Sequence, residues 1–128
     1  MANNLTNYAE TETLKWLLNL VPDYSPVDTE LALYTSSPGE AGGGTEVNGG
    51  SYARTAITWG SPASGAVSNA SDITFPTATG DWGTIVAAAI WDEEGDHMLW
   101  WGPLAVSKTI ATGEIFKVLT GNLTLTLD

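Results

Sequence analysis

The chain has 128 residues, with 15 acidic and 4 basic side chains, one histidine and no cysteine, so its formal net charge is −11 at pH 7. This length predicts a single domain over residues 1–128. The acidic excess argues against direct binding of nucleic acid or of an anionic membrane, because phosphate contacts need basic side chains. The lack of cysteine excludes disulfides and thiolate metal sites, and no segment has the pattern of a signal peptide or a membrane span.

The first predicted element is an amphipathic α-helix over residues 7–21. Asn7 is a suitable N-cap, and Glu10 stands three residues later, at the spacing of a capping box. Four apolar residues then recur on one helical face: Leu14, Leu17, Leu18 and Val21. This stripe predicts a helix that covers one end of a sheet core, and the alternative is an arm that docks on a neighbouring subunit.

After the helix the hydrophobic period changes to two, which indicates β-strands. The predicted strands lie at residues 29–36, 53–59, 65–70, 72–76, 84–92, 97–102, 107–111, 114–119 and 122–128. The segment 84–92 is apolar almost throughout, as in a central strand with both faces covered. Short strands separated by turn residues predict an all-β antiparallel sandwich over residues 29–128, with jelly-roll and other Greek-key strand orders left open.

A glycine-rich segment separates the first two predicted strands. Residues 36–50 contain six glycines, and Val47 is their only large apolar residue, so a long exposed loop is expected. A phosphate-binding loop is excluded on three grounds. No lysine follows the glycines, the loop enters a strand rather than a helix, and Glu46 would repel a phosphate.

The end of this segment has the features of a tight, clamped turn. Gly49 and Gly50 are expected to adopt backbone angles that other residues avoid. Arg54 is expected to pair with Glu46 or Glu40 across the loop. An exposed ion pair of this kind would contribute at most about 1 kcal/mol.

The turn "DEEGD" at residues 92–96 places four carboxylates within five residues, and carboxylates are ligands for Ca²⁺. The spacing is not that of an EF-hand, so a solvated hairpin turn is favoured, with a cation shared between subunits as the alternative. His97 is expected at the start of the next strand, beside this turn. The sequence has no nucleophile motif to accompany it, and one histidine with scattered acids is a weak zinc site. No enzymatic activity, cofactor or metal is therefore predicted.

Tryptophan is unusually frequent in this chain, at positions Trp16, Trp59, Trp82, Trp91, Trp100 and Trp101. Exposed tryptophans can stack on sugars, but tryptophan is also enriched in cores and interfaces. Trp100 and Trp101 are adjacent on a predicted strand and must face opposite sides, so one is expected in the core and the other towards solvent or a partner. A subunit interface is favoured over a sugar platform.

One pattern extends over essentially the whole chain. A strand ending in "LYTS" (33–36) precedes "GTEVNGGSYAR" (44–54), followed by "ITFPT" (73–77), "WGT" (82–84) and a terminal "TLTLD" (124–128). This pattern resembles a family of small bacteriophage virion structural proteins, labelled tail-fibre-like or capsid decoration proteins. The resemblance implies a non-enzymatic, oligomeric virion component. The missing signal peptide and the missing cysteines fit assembly in the host cytoplasm.

Within that family, a capsid decoration (cement) protein is the first expectation, as a homotrimer that bridges subunits of the major capsid protein or another virion protein. The absence of coiled-coil heptads and collagen-like repeats favours it over a fibre. The alternative is a tail-fibre or tail-tip protein that binds host surface glycan through exposed tryptophan. The predicted interface consists of Glu46, Asn48, Gly49, Gly50, Tyr52, Arg54, Trp100 and Trp101.

Overall fold

The computed structural model describes residues 4–94 and 97–127. This part of the chain forms the helix α1 (Asn7–Leu17) and ten β-strands. The strands are β1 (Asn4–Leu5), β2 (Thr29–Ser36), β3 (Thr45–Glu46), β4 (Thr55–Ala56), β5 (Ala66–Ser68), β6 (Ile73–Thr74), β7 (Gly83–Asp92), β8 (Met98–Ile110), β9 (Lys117–Val118) and β10 (Thr124–Thr126). The predicted all-β fold with one N-terminal helix is confirmed. Within the described ranges no helix has the length and apolar character needed to cross a membrane.

The strands form one large antiparallel sheet and two small ones. In the large sheet β1, β8, β7, β2 and β3 lie side by side in that order, and β4 also pairs with β2. The two small sheets are the pairs β5 with β10 and β6 with β9. The predicted strand at 29–36 coincides with β2, and the predicted strand at 84–92 lies within β7.

One face of the six-stranded sheet carries the main hydrophobic core. Leu31 and Leu33 of β2 and Ile85 and Ile90 of β7 are almost fully buried in it. Side chains from outside this sheet complete the core: Ile73, Phe75, Phe116, Leu123 and Leu125. Full burial of one such side chain contributes about 1.5–3 kcal/mol, which makes this core the main source of stability.

The opposite face of the sheet holds a second, smaller cluster. Ala32, Ala87 and Ala89 are buried there, and Trp91 and Trp101 pack against them. The small alanine side chains leave room for the large indole rings to lie over the sheet. Both faces of β7 are therefore covered, as its apolar sequence predicts.

The two strands predicted at 97–102 and 107–111 form one continuous strand, β8, and the prediction of a break was wrong. The register with β7 shifts sharply at this point, because Ile85 pairs with Lys108 while Ala87 pairs with Pro103. Four residues of β8 thus oppose one of β7, in a wide irregular bulge whose Val106 is 80% exposed. A bulge disrupts the alternation of inward and outward side chains, so the sequence pattern looks like two strands.

The N-cap of the helix lies one residue earlier than predicted. The N-cap is Thr6 rather than Asn7, and its Oγ1 accepts a hydrogen bond from Ala9 N at 3.2 Å. The same hydroxyl donates to Met98 O on β8 at 2.7 Å. Ala9 therefore occupies the position that a capping box gives to an acidic residue, and the predicted capping role of Glu10 was wrong.

The helix ends at Leu17, four residues before the predicted end at residue 21. Asn19 adopts a left-handed conformation with φ of 58°. Leu20 N then donates to Lys15 O at 2.8 Å, and Asn19 N donates to Trp16 O at 3.3 Å. These two bonds form a Schellman motif, which stops the helix well before Pro22 is reached.

The predicted packing of the helix was also wrong. The helical residues that the structure buries are Ala9 and Glu12, which belong to its first two turns. The predicted core stripe is exposed instead: Leu14 by 57%, Leu17 by 64%, Leu18 by 65% and Val21 by 86%. The beginning of the helix is anchored to β8 by hydrogen bonds from Thr6 Oγ1 to Met98 O and Leu99 O, whereas the leucines towards its end remain in contact with water.

The glycine-rich segment at 36–50 is mostly exposed, as expected, but it is not entirely a loop. Thr45 and Glu46 form β3 and pair with Ser36 and Tyr34 of β2. Val47 is 5% exposed, and its N donates to Leu33 O at 3.0 Å. The end of the segment is therefore part of the large sheet.

Candidate functional site

The glycine turn at the end of the clamped loop (residues 44–54) has the backbone conformation that the sequence predicts. Gly49, Gly50 and Ser51 have φ values of 84°, 57° and 64° in succession. The carbonyl of Gly50 accepts hydrogen bonds from Trp82 Nε1 at 2.9 Å and from Thr79 N at 3.0 Å. These two hydrogen bonds hold the turn against the segment that contains Thr79 and Trp82.

Glu46, Tyr52 and Arg54 form a connected polar group, here called the clamp. The guanidinium of Arg54 donates two hydrogen bonds to the Glu46 carboxylate, from Nε at 2.9 Å and from Nη2 at 2.8 Å. The hydroxyl of Tyr52 donates to Glu46 Oε2 at 2.7 Å and accepts from Leu33 N at 3.0 Å. The Arg54 and Glu46 side chains are only 23% and 24% exposed, so the predicted pairing is confirmed in a more buried setting than expected.

The pKa values of Glu46 and Tyr52 reflect both the burial of the clamp and its hydrogen bonds. Burial by itself would raise the pKa of Glu46, but the hydrogen bonds from Arg54 and Tyr52 outweigh it and lower the pKa. Burial raises the pKa of Tyr52, so the phenol stays protonated as a donor. The clamp is therefore a charged pair at neutral pH, joined by two hydrogen bonds and connected to β2 through Tyr52.

The clamp continues onto the face of the large sheet that holds the second cluster. The guanidinium of Arg54 lies 4.1 Å from the ring centroid of Trp91, a cation–π contact. Trp91 Nε1 in turn donates to Tyr34 OH at 3.0 Å. Of the predicted interface residues in this loop, Asn48 and Gly49 are exposed.

Trp100 and Trp101 face opposite sides of β8, as the sequence predicts. Trp100 packs against the main core, whereas Trp101 packs against the second cluster, on the same sheet face as Trp91. Both rings are partly buried, and neither indole Nε1 has a hydrogen-bond partner among the described residues. The structure thus places Trp101 on the sheet face where Arg54 contacts Trp91, and Trp100 on the face of the main core.

The acidic turn differs from the predicted solvated turn at its first residue. Asp92 is 1% exposed, and its carboxylate accepts a hydrogen bond from His97 N at 3.2 Å and lies 3.0 Å from His97 Nδ1. Glu93 and Glu94 are exposed, and residues 95 and 96 of the predicted cation site lie outside the described residues. Elsewhere, the described residues contain no group of three or more side chains suited to hold a metal ion.

His97 immediately precedes β8, as predicted, and it belongs to an aromatic group. Its ring stacks on Tyr8 of α1 with centroids 4.2 Å apart, and the ring of Tyr24 is perpendicular to it with centroids 5.8 Å apart. The buried carboxylate of Asp92 contacts Nδ1 of the same histidine ring. This group ties the beginning of the helix to the hairpin between β7 and β8.

The end of the helix forms the helix-end surface, which contains the four residues that the sequence predicted to cover the sheet core. It consists of exposed apolar residues: Leu14, Trp16, Leu17, Leu18, Leu20 and Val21. One further signal was available, because six of the eight residues from 14 to 21 are apolar and so cannot all belong to one stripe. An excess of apolar residues around a short helix indicates a second contact surface.

The charged side chain within this surface is neutralised by its neighbours. Lys15 Nζ lies 2.9 Å from Glu12 Oε1 and 2.8 Å from Asp23 Oδ2. The other oxygen of Glu12 accepts hydrogen bonds from the backbone N of Asp23 and Tyr24. The hydrogen bond from Lys15 lowers the pKa of Glu12, so the carboxylate remains charged and holds the chain after the helix in place.

A cleft of about 360 Å³ adjoins the helix-end surface. It lies between α1, the segment after the helix and β8, and aromatic rings form much of its wall: Tyr8, Trp16, Tyr24 and Trp100. Trp16 belongs to both features, since it lines the cleft and is 71% exposed. The cleft and the helix-end surface therefore share Trp16, while the leucines of the surface lie outside the cleft.

A family model described as "Podophage GP4 fiber I protein gp80" matches residues 4–126. The chain belongs to this family. The matched range includes the clamped loop, the helix-end surface and the cleft. A search of curated proteins gave no match.

Membership of this family confirms the coarser part of the resemblance, that the chain is a phage virion structural protein. The family is described by a fibre rather than by a capsid decoration protein. The interface role of the clamp, of Asn48 and of the two adjacent tryptophans stays a prediction.

Proposed function

We propose that the chain is a non-enzymatic structural component of a podophage fibre, held in the particle by contacts between proteins. The match of the fibre family to residues 4–126 carries this proposal, because it spans the whole described fold rather than one module. Capsid decoration, the first expectation from the sequence, is the second candidate function. It is also a non-enzymatic role in the virion.

The charged groups support a structural rather than a catalytic role. Glu46 is engaged by Arg54 and Tyr52, and Asp92 is buried against His97 beside Tyr8. These two groups therefore hold the loop and the beginning of the helix to the sheet. A turnover assay on candidate phage substrates is expected to give no activity that depends on His97.

Glycan binding through Trp100 or Trp101, part of the fibre alternative, receives less support. Both rings are partly buried against the two hydrophobic clusters, which reduces the area available to a sugar, and Trp100 is accessible where it lines the cleft. The prominent uncovered region is instead the helix-end surface, whose apolar chemistry suits contact with protein.

The number of copies in the particle tests the proposal. We expect quantitative mass spectrometry of purified virions to give a few copies of this chain per particle, as for a fibre. Immunogold labelling should then mark the fibres. A copy number close to that of the major capsid protein, with labelling spread over the shell, would establish the decoration role instead.

A further inference from the structure

The helix-end surface is too large to be an incidental feature of a free domain. Its six residues are each between 57% and 86% exposed, and together they present on the order of 800 Å², about what each partner buries in a standard-size interface. Exposed apolar side chains concentrated around one helix end mark an interaction surface. The surface is therefore expected to be covered in the working protein.

The charge of this surface distinguishes among possible partners. The chain carries a net charge of −11, so two copies repel each other over most of their surfaces. The helix-end surface is an exception, because Lys15 is the only charged side chain between residues 13 and 22 and it is paired with Glu12 and Asp23. A contact between two copies at this place therefore brings mainly apolar side chains together, with only a small net negative charge on each copy.

The shape of the surface also suits a second copy. Leu17, Leu18 and Val21 project from the end of the helix, and the cleft lies on the side of the helix that carries Tyr8 and Trp16. A surface that carries both projections and an apolar cleft can be complementary to itself, which is what a symmetric interface requires.

We infer that the helix-end surface is a self-association surface, covered by the same surface of another copy of this chain. The contact places the leucines of each copy against the helix end and cleft of its neighbour in a closed oligomer. This inference adds an interface between copies to the proposed fibre role. It rests on that role only for the location of the oligomer in the particle.

Light scattering of the isolated protein over a wide range of concentrations tests this inference. Wild type is expected to reach a mass two or three times the chain mass of 13.5 kDa. The double substitution Leu17→Gln and Leu18→Gln keeps the charge and the helix propensity but removes the apolar surface. It is expected to weaken association by at least about tenfold. A wild-type protein that stays at the mass of one chain at every concentration overturns the inference, and the surface then serves another virion protein.

A matched control separates this surface from general stickiness. Val106 and Leu119 are also exposed, by 80% and 53%, but lie outside the helix-end surface. The double substitution Val106→Gln and Leu119→Gln should leave the oligomer intact. Equal weakening by both double variants would contradict the inference.

A second measurement does not depend on loss of binding. Because the chain has no cysteine, Leu17→Cys introduces a unique thiol. Mild oxidation should link two copies through this position, whereas Val106→Cys should stay unlinked. Equal linking at both positions would also contradict the inference. If association fails while virions contain the copy number of a fibre, the self-association is wrong and the proposed function stands.

Discussion

The clamped loop and the helix-end surface differ in how far the domain satisfies their chemistry. In the loop, Glu46 is bonded to Arg54 and Tyr52, and the carbonyl of Gly50 accepts two hydrogen bonds from its own domain. At the helix end, Leu17 and Leu18 are each more than 60% exposed. The loop is thus complete within one chain, whereas the helix end needs another surface. Substitutions in the loop should therefore affect folding, and substitutions at the helix end should affect association.

The largest effect on folding is expected from Gly50→Ala. The new Cβ would lie 2.8 Å from Gly80 O and 2.9 Å from Trp82 Nε1, and the residue would keep a φ of 57°. Left-handed strain together with contacts that the backbone cannot relieve should lower the free energy of unfolding by about 3 kcal/mol. Urea denaturation followed by tryptophan fluorescence measures this loss.

Gly49→Ala is the matched control for this substitution. Gly49 also has a positive φ, of 84°, but an added Cβ would meet nothing within 4 Å. Only the backbone strain remains, so the expected loss is about 1 kcal/mol. Equal losses for the two variants would show that the approach of the turn to Trp82 is not what restricts position 50.

The clamp should give the next largest effect. Glu46→Gln keeps the shape of the side chain but removes the charge that Arg54 and Tyr52 bind, at an expected cost of about 2 kcal/mol at pH 7. Glu40→Gln, at an exposed position in the same segment, removes the same charge and should cost nothing measurable. Chemical denaturation of both variants checks this difference.

The comparison of wild type with Glu46→Gln also predicts how the stabilisation by the clamp depends on pH. The folded pKa of Glu46 lies below its ordinary value of 4.5, so the clamp's contribution is fully present above that pH. It is lost as the pH falls through the folded pKa. The gap in stability between wild type and Glu46→Gln should therefore narrow in acid, and a gap that stays constant from pH 7 to about pH 3 would show that the carboxylate is not the stabilising group.

The parts of the fold that could be predicted from the sequence are those set by local chemistry. The alternation of β2, the apolar run of β7 and the turn glycines each impose a backbone state on their own residues. The opposite orientation of Trp100 and Trp101 follows in the same way from their adjacency on a strand. For these features one segment contains the whole signal.

The features that were missed depend on distant partners or on the absence of one. An apolar stripe on a helix shows that the stripe will be covered, but not whether its own chain or a neighbour covers it. Asn19 offered a local signal for the helix end, because asparagine tolerates the left-handed conformation of a Schellman motif. Threonine is also a preferred N-cap residue, but the hydrogen bond of Thr6 to Met98, which is 92 residues away in sequence, has no local signal.

A smaller effect is expected where the helix begins. Thr6 is 2% exposed, and Thr6→Ala removes both the cap to Ala9 N and the hydrogen bond to Met98 O. The free energy of unfolding should fall by about 1–2 kcal/mol. Thr11→Ala, on an exposed position of the same helix, should change it by less than about 0.5 kcal/mol. If the two substitutions cost the same in chemical denaturation, the helix is not anchored through its cap.

The smallest effect on folding should come from the helix-end surface itself. In dilute solution, where copies are separate, the double substitution Leu17→Gln and Leu18→Gln should change the free energy of unfolding by less than about 0.5 kcal/mol, since both side chains already contact water. In concentrated solution wild type should become more stable, because association favours the folded state, and the variant should not. Thermal unfolding at several concentrations reveals this divergence. If the variant is instead less stable at every concentration by the same amount, the leucines support the helix within one chain. The contrast between a complete loop and an incomplete helix end would then be lost.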